Sequence, residues 1–408
     1  MDQLALAKMR EYLVARRAEQ FALLATLVKI DSPAAGGGCA AVLSQLIDSL
    51  EPTSFEVNLH EVPIELTEPF GLQKVSNLIV RHRFGPGPTI ALSAHCDTVA
   101  GVSDGTHDPL AAVVEKGRMY GRGVADGKSD ILCYVYALLG LVESGASLSG
   151  TVEIHITSDG VTGGELGARW VLAEGLSQPD YAIVSGRHNA IGATAMGVLE
   201  LDVKIRGRSL PLGSPMSGVD VVEGATRAMV QLFRQRDELR KVGSEIPGLG
   251  APSLVVTEII CQSEQNMSPG EIDLHIDRRL LPGEDAEAVE DGLATLLAVS
   301  LAGAVGIVGK VRRRRLLPAM VSDSATKPLI ETFQSVGTEI TGSPLSTYGV
   351  ATNTAARHYS ATGVPTVIYG VGSSEISQDG SADHLDLDNF RVGTEVVAAV
   401  LGRLLRVE

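Results

Sequence analysis

One stretch limits the possible fold more than any other. Residues 89–92 form a short apolar run of the kind that makes a buried strand. The run leads directly into Ser93-Ala94-His95-Cys96-Asp97-Thr98-Val99. The stretch closes on Tyr120-Gly121-Arg122-Gly123-Val124-Ala125-Asp126-Gly127-Lys128. Residues 128–141 then read as a helix, with Ile131, Leu132, Val135, Leu138 and Leu139 on its apolar face. His95 and Asp97 thus fall at the C-terminal end of a strand, and Asp126 at a loop-to-helix junction. That edge is where open α/β sheets build their sites.

On an extended segment, residues two apart point to the same side. One of His95 and Asp97 can therefore ligate a metal while the other orients it, and Asp126 supplies a carboxylate able to bridge two ions. A buried histidine hydrogen-bonded to a carboxylate, with no metal, gives the same short pattern. The Gly-Arg-Gly-x-x-Asp-x-Lys segment downstream favours the metal reading.

The rest of the chain fits a large α/β protein. Its 408 residues are enough for two domains. With 34 basic and 49 acidic residues the net charge is −15, which argues against a nucleic-acid or anionic-membrane partner. Aromatic residues make up 4%, too few for a base-stacking platform. Cys39, Cys96, Cys133 and Cys261 are far apart, with no C-x-x-C, and suit a reducing compartment. Residues 1–17 mix charge with apolar residues, unlike a signal peptide, and no apolar run is long enough to span a bilayer. The expectation is a cytoplasmic globular protein.

Helical periodicity covers residues 4–30 and 40–50, and strand-like alternation covers 55–62 and 77–83. After the central stretch come a strand at 152–157, a helix at 165–173 and a strand at 181–184. In the first of these Val152, Ile154 and Ile156 face one way and Glu153 and His155 the other. This alternation predicts a mostly parallel sheet flanked by helices. From Gly197 the order becomes strand, helix, strand, strand, helix, strand over residues 199–311, a small α/β sandwich inserted in the first fold. The expected domains are 1–196 with 317–408, and 197–316. The basic run Arg312-Arg313-Arg314-Arg315 reads as a solvated strand end where the insert rejoins, or as an attractor for an anionic substrate.

These motifs resemble the co-catalytic zinc hydrolases that include carboxypeptidase G, aminoacylase, acetylornithine deacetylase and succinyl-diaminopimelate desuccinylase. The likeness rests on the segment around His95, on Asp108-Pro109-Leu110 and the 117–128 segment, on Asn266-Met267-Ser268-Pro269, and on Asp277-Arg278-Arg279-Leu280-Leu281-Pro282. It continues through the 363–372 segment and Ala382-Asp383-His384, and so covers nearly the whole chain. The resemblance implies a two-zinc site bridged by Asp126, with His95 on one ion and His384 on the other. It implies a glutamate general base, a lid histidine at the oxyanion, and Asn266, Arg279 and Arg357 gripping the substrate carboxylate. It also implies an amino-acid-like or peptide ligand and a homodimer formed through the inserted lid domain.

The chain departs from that pattern at the chemistry itself. Gly160 stands where the general base belongs, and Val161 where an acidic ligand belongs. Ser185-Gly186-Arg187 replaces another acidic ligand, and Pro211 lies nearest the lid histidine. Of the usual ligands His95, Asp126 and His384 remain, with Asp97 to orient His95. Losing a general base costs roughly 10²–10⁴ in rate. Three readings follow. One zinc or other divalent ion sits on the three remaining ligands, with Asp159 or Glu165 as a displaced base, and an amide of an N-acyl amino acid or small peptide is hydrolysed. Alternatively the pocket serves a metal-free condensation or transfer. Or the chain is a non-catalytic, ligand-binding homologue. The first is the leading expectation.

Overall fold

A computed structural model describes residues 2–99, 107–213, 220–304, 306–372 and 383–407. The segment 373–382, which includes Ala382 of the closing motif, lies outside the described residues.

The main sheet has a parallel centre. Thr89–His95 lies between Thr151–Thr157 and Tyr181–Val184, and Thr366–Ile368 pairs with the latter, all parallel. Antiparallel strands extend it on both sides: Ser76–Arg83 and then Glu56–Glu61 on one, Ala190–Ala195 on the other. Helices Gln3–Val28, Lys128–Glu143 and Leu387–Leu404 flank it and share one core that includes Met9, Leu24, Ile131, Leu138, Phe390 and Val397. The expected mostly parallel, helix-flanked sheet is therefore what the chain forms.

Two elements are buried more completely than their apolar patterns alone require. Helix Lys128–Glu143 is buried on nearly every side, Tyr134 and Tyr136 included, and does not present one apolar stripe. A helix apolar all round belongs inside a core. Strand Thr151–Thr157 is likewise buried at every residue, so Glu153 and His155 face protein and not solvent. Strands inside a parallel sheet are covered on both faces.

By packing, the chain divides into two compact units. One is Met1–Ala193, Ser322–Tyr348 and Asn353–Glu408; the other is Thr194–Val321 with Gly349–Thr352. The second holds an antiparallel sheet in the order Ser253–Cys261, Glu271–Leu280, Gly197–Arg206, Val308–Leu317. Burial along Glu271–Leu280 alternates strictly, and its inner residues Ile272, Leu274 and Ile276 share a core with Ala225, Leu232 and Leu297 of two helices. The basic run lies within Val308–Leu317 and not after it; Arg313 pairs with Glu290 and Arg315 with Glu200. Glu290 lies on helix Ala286–Leu301 and Glu200 on the neighbouring strand, and these pairings take up charge that the anion-attractor reading needs. No helix among the described residues is long and apolar enough to cross a membrane.

Candidate functional site

Strand Thr89–His95 ends on His95, and the chain then turns back under it. Cys96 N–H donates to the Thr157 carbonyl at 2.8 Å, and Ser32 Oγ donates to the Cys96 carbonyl at 2.8 Å. The turn returns the Asp97 carboxylate to within 3.2 Å of His95 Nδ1. Asp97 is itself buried, and its two oxygens accept the N–H groups of Gly160 at 2.8 Å and Val161 at 2.9 Å. Fixed from behind in this way, the imidazole aims Nε2 at Asp126, whose Oδ1 lies 3.6 Å away. The Asp126 side chain is 71% exposed, against 16% for His95, so this end of the pair is open. Burial opposes a charge on His95, but the carboxylates of Asp126 and Asp97 outweigh it and raise its pKa well above the usual histidine value.

Helix Lys128–Glu143 holds Asp126 in place. Gly127, at φ +85°, brings its backbone so close that an added Cβ would lie 2.6 Å from the His95 carbonyl oxygen. Lys128 is buried, and its Nζ donates to the carbonyls of Leu27 at 3.0 Å and Ile30 at 2.7 Å, at the end of helix Gln3–Val28.

The places of the absent acids are closed by packing. A Cβ at Gly160 would lie 2.3 Å from His95 Cγ, and one at Gly186 would lie 2.5 Å from Ile368 Cγ2. The two suggested replacement bases are occupied. Glu165 pairs with Arg169. Asp159 is buried beneath the loop, its Oδ2 accepting Leu166 N–H at 2.6 Å while Oδ1 has no hydrogen-bond partner among the described residues. Burial and then nearby Asp97 push the Asp159 pKa up to about 7.

His384 opens the short strand His384–Asp386, opposite Tyr120. Its neighbour Asp383 pairs with Arg122 at 2.9 Å, and Tyr120 lies between the rings of His384, at 5.8 Å, and His107, at 4.2 Å. Among the described residues no three His, Cys, Asp or Glu side chains gather as a metal site. Arg357 belongs to the same unit, almost fully buried on helix Ala356–Ala361. Asn266 and Arg279 belong to the other unit: Asn266 at φ +61°, and Arg279 paired with Asp277 at 2.9 Å.

Two zinc ligands at ordinary bond lengths stand roughly 3.3 Å apart. His95 and Asp126 match that spacing for one ion. The remaining positions, Gly160, Val161 and Gly186, offer no side-chain donor for a second. The residues present thus offer one cation two ligands, with no side-chain donor at 160 or 186 and an apolar side chain at 161.

Two residues in this region carry polar chemistry beyond the roles read from the sequence. Asp130 lies one turn beyond Asp126, fully buried, its Oδ1 accepting Val371 N–H at 2.7 Å and its Oδ2 unpartnered among the described residues. Burial, with Asp126 adding to it, raises its pKa to about 8. Arg187 lies with its guanidinium 4.9 Å over the Tyr348 ring. The signal for Asp130 was available: an acidic residue one turn after Asp126, at the start of a helix that is apolar from Ile131 to Val142 save for its two tyrosines.

Residues 91–403 match peptidase family M20/M25/M40. Among curated relatives, succinyl-diaminopimelate desuccinylase of Gluconobacter oxydans (strain 621H) is 32% identical over 154 residues, 37% of each chain. Acetylornithine deacetylase of Proteus mirabilis (strain HI4320) is 28% identical over 262 residues, 63% of this chain and 65% of the relative. The matched stretches thus span between about a third and two thirds of these relatives. Among solved structures, the dipeptidase Dug1p of Saccharomyces cerevisiae superposes with a TM-score of 0.78 at 14% identity, over 98% of both chains. That likeness speaks to the fold, and the sequence match over most of the chain speaks to descent: this chain belongs to peptidase family M20/M25/M40.

Proposed function

We propose that the chain acts on the amide of an N-acyl amino acid or small peptide with a reduced site holding one divalent ion, zinc or another. The observation that carries this reading is the His95–Asp126 pair, 3.6 Å apart and open on the Asp126 side. With the proton on Nδ1, the ring donates to Asp97 and leaves the Nε2 lone pair free to ligate. A divalent ion held there supplies Lewis acidity toward a carbonyl or a water. His384 is the third candidate ligand. Asn266, Arg279 and Arg357 are the candidate grips for the substrate carboxylate, and the second unit is the candidate lid and dimer surface. Four unpaired cysteines suit a cytoplasmic setting.

His95 binds a proton or an ion at Nε2, not both. Its raised pKa makes ion binding compete with protonation, so ion affinity falls as pH drops. No carboxylate stands at position 160 to take a proton from water. Turnover is therefore expected roughly 10²–10⁴ below that of a site with a general base.

A second reading has its own support. The His95 ring packs on Gly160 where the base would project. That arrangement suits a pocket used for ligand binding or for condensation or transfer without hydrolysis. Metal content by inductively coupled plasma mass spectrometry, on wild type, His95→Ala and His384→Ala, separates the two. About one ion per chain, lost in both variants, with slow hydrolysis in a panel of N-acyl amino acids and dipeptides, supports the first. No ion bound after zinc is supplied overturns it in favour of the second.

A further inference from the structure

We propose that Arg187 is an anion-binding residue near Asp126, a further grip on the carboxylate of the amino-acid-like ligand, one residue after Gly186, where the resemblance calls for an acidic metal ligand. This rests on the reading of the ligand as amino-acid-like, and it is independent of whether an ion is bound.

The backbone places Arg187 at the site. Strand Tyr181–Val184 runs parallel to Thr89–His95, with Val184 opposite Ser93, so both chains leave the sheet at one edge. Ser185 N–H still donates to the Ser93 carbonyl at 2.9 Å. Gly372 then bridges to Arg187. A Cβ at Gly372 would lie 2.8 Å from both the Ala125 and the Gly186 carbonyl oxygens. Gly372 therefore lies against the backbone of both 125 and 186, each one residue before Asp126 and Arg187.

The side chain is held but not neutralised. Arg187 is half-buried, and its guanidinium lies over the Tyr348 ring at 4.9 Å. Among the described residues no carboxylate lies within ion-pair distance of it. Tyr348 reports the same neighbourhood: burial raises its phenol pKa, Arg187 opposes the rise, and Asp130 and Asp126 add to it. The guanidinium is oriented by its aromatic partner. Stacking fixes the plane and leaves the edge as a fork for a carboxylate. The exchange is chemically coherent: at this position an acid that would help hold a cation is gone, and a fixed cation that can hold an acid follows it.

The test uses N-acetyl-L-amino acids (glycine, alanine, leucine, glutamate, lysine) and their C-terminal amides, with affinity read by isothermal titration calorimetry. Wild type is expected to prefer at least one acid over its amide by roughly 10- to 100-fold, the range for a hydrogen-bonded charge pair. Arg187→Met should lower that preference by about tenfold or more, and Arg187→Lys should lower it less. His95→Ala should leave the preference in place even where zinc content falls, which separates this inference from the one-ion reading. Should Arg187→Met not fold, Arg187→Gln gives the same readout with a polar chain. An unchanged preference in the neutral variant, or no acid bound by wild type, overturns the proposal.

Discussion

Two histidine–carboxylate pairs lie on neighbouring strands of one sheet, and they have opposite fates. Strands Thr89–His95 and Thr151–Thr157 are in register, with Ser93 opposite His155 and His95 opposite Thr157. The inner pair is His155 with Glu153. His155 is fully buried, its Nδ1 2.7 Å from Tyr359 Oη and its Nε2 3.1 Å from Glu153. Glu153 also accepts from Arg81 Nε at 2.7 Å and from Ser177. Every ring nitrogen and both carboxylate oxygens are engaged within the protein. The outer pair, His95 with Asp97, has the same ingredients two residues nearer the strand end. There Nε2 looks toward an exposed carboxylate instead of a buried one. Depth along the strand, not residue type, decides which pair has bonding capacity left for a ligand.

The inner pair should therefore break most expensively. Burial alone would raise the Glu153 pKa, but bonds from His155, Ser177 and Arg81 outweigh it and hold it at about 2. Removing one partner of such a buried ionic group costs about 3–5 kcal/mol. Glu153→Ala should lose that much in urea unfolding, while zinc uptake by the folded fraction stays as in wild type. A loss under about 1 kcal/mol, the range of exposed pairs, would erase the distinction between the two pairs.

Asp130 sharpens the comparison, as a buried carboxyl with one oxygen engaged and the other unpartnered among the described residues. Its pKa of about 8 lies above the ordinary 3.8, so between those values the folded state binds a proton that the unfolded state has released. Its stabilising contribution is full below the unfolded value and is lost as pH rises through about 8. The slope reaches about 1.4 kcal/mol per pH unit. Asp130→Asn keeps the acceptor for Val371 N–H and cannot ionise. Melting curves from pH 5 to pH 9 (roughly the titrating range) should show a flatter decline in the variant. Parallel declines would place the proton elsewhere.

Much of this was legible from the residues. The apolar run before His95, the Gly-Arg-Gly-x-x-Asp-x-Lys segment and the change of pattern at Gly197 each located the structure that forms there. What periodicity could not convey was tertiary. Strand Thr151–Thr157 alternates as though one face met water, yet its polar side chains are buried. That burial depends on Tyr359 and Arg81, distant in sequence and supplied only by the fold. Gly160 and Gly186 read as missing acids, whereas the structure has neighbours in the space where side chains would go. An absent residue leaves no trace of what has filled its place.

Gly160 offers a way to damage the outer pair from the side. A methyl group there would lie 2.3 Å from His95 Cγ, and the ring cannot yield without leaving Asp97. Overpacking of this kind costs about 1–3 kcal/mol. Gly160→Ala should lose stability in that range and also lose bound zinc. Gly160→Glu should not recover hydrolysis, because the added base displaces the imidazole it would serve. Hydrolysis gained in Gly160→Glu would show that the ring has room to move.

The smallest stability effect is expected where the functional effect is largest. His95→Ala removes a side chain whose Nε2 faces the open end of the site, and the Asp97 carboxylate keeps both backbone N–H partners at 2.8 and 2.9 Å. Asp97 therefore remains satisfied without the imidazole, unlike the partners of Glu153. Urea unfolding of His95→Ala should fall within about 1 kcal/mol of wild type, the range for removing one modest contact. Its zinc content should drop to background. A large destabilisation would mean that the outer pair, like the inner one, holds the sheet together. The His95–Asp126 opening would then be a by-product of packing and not a ligand site.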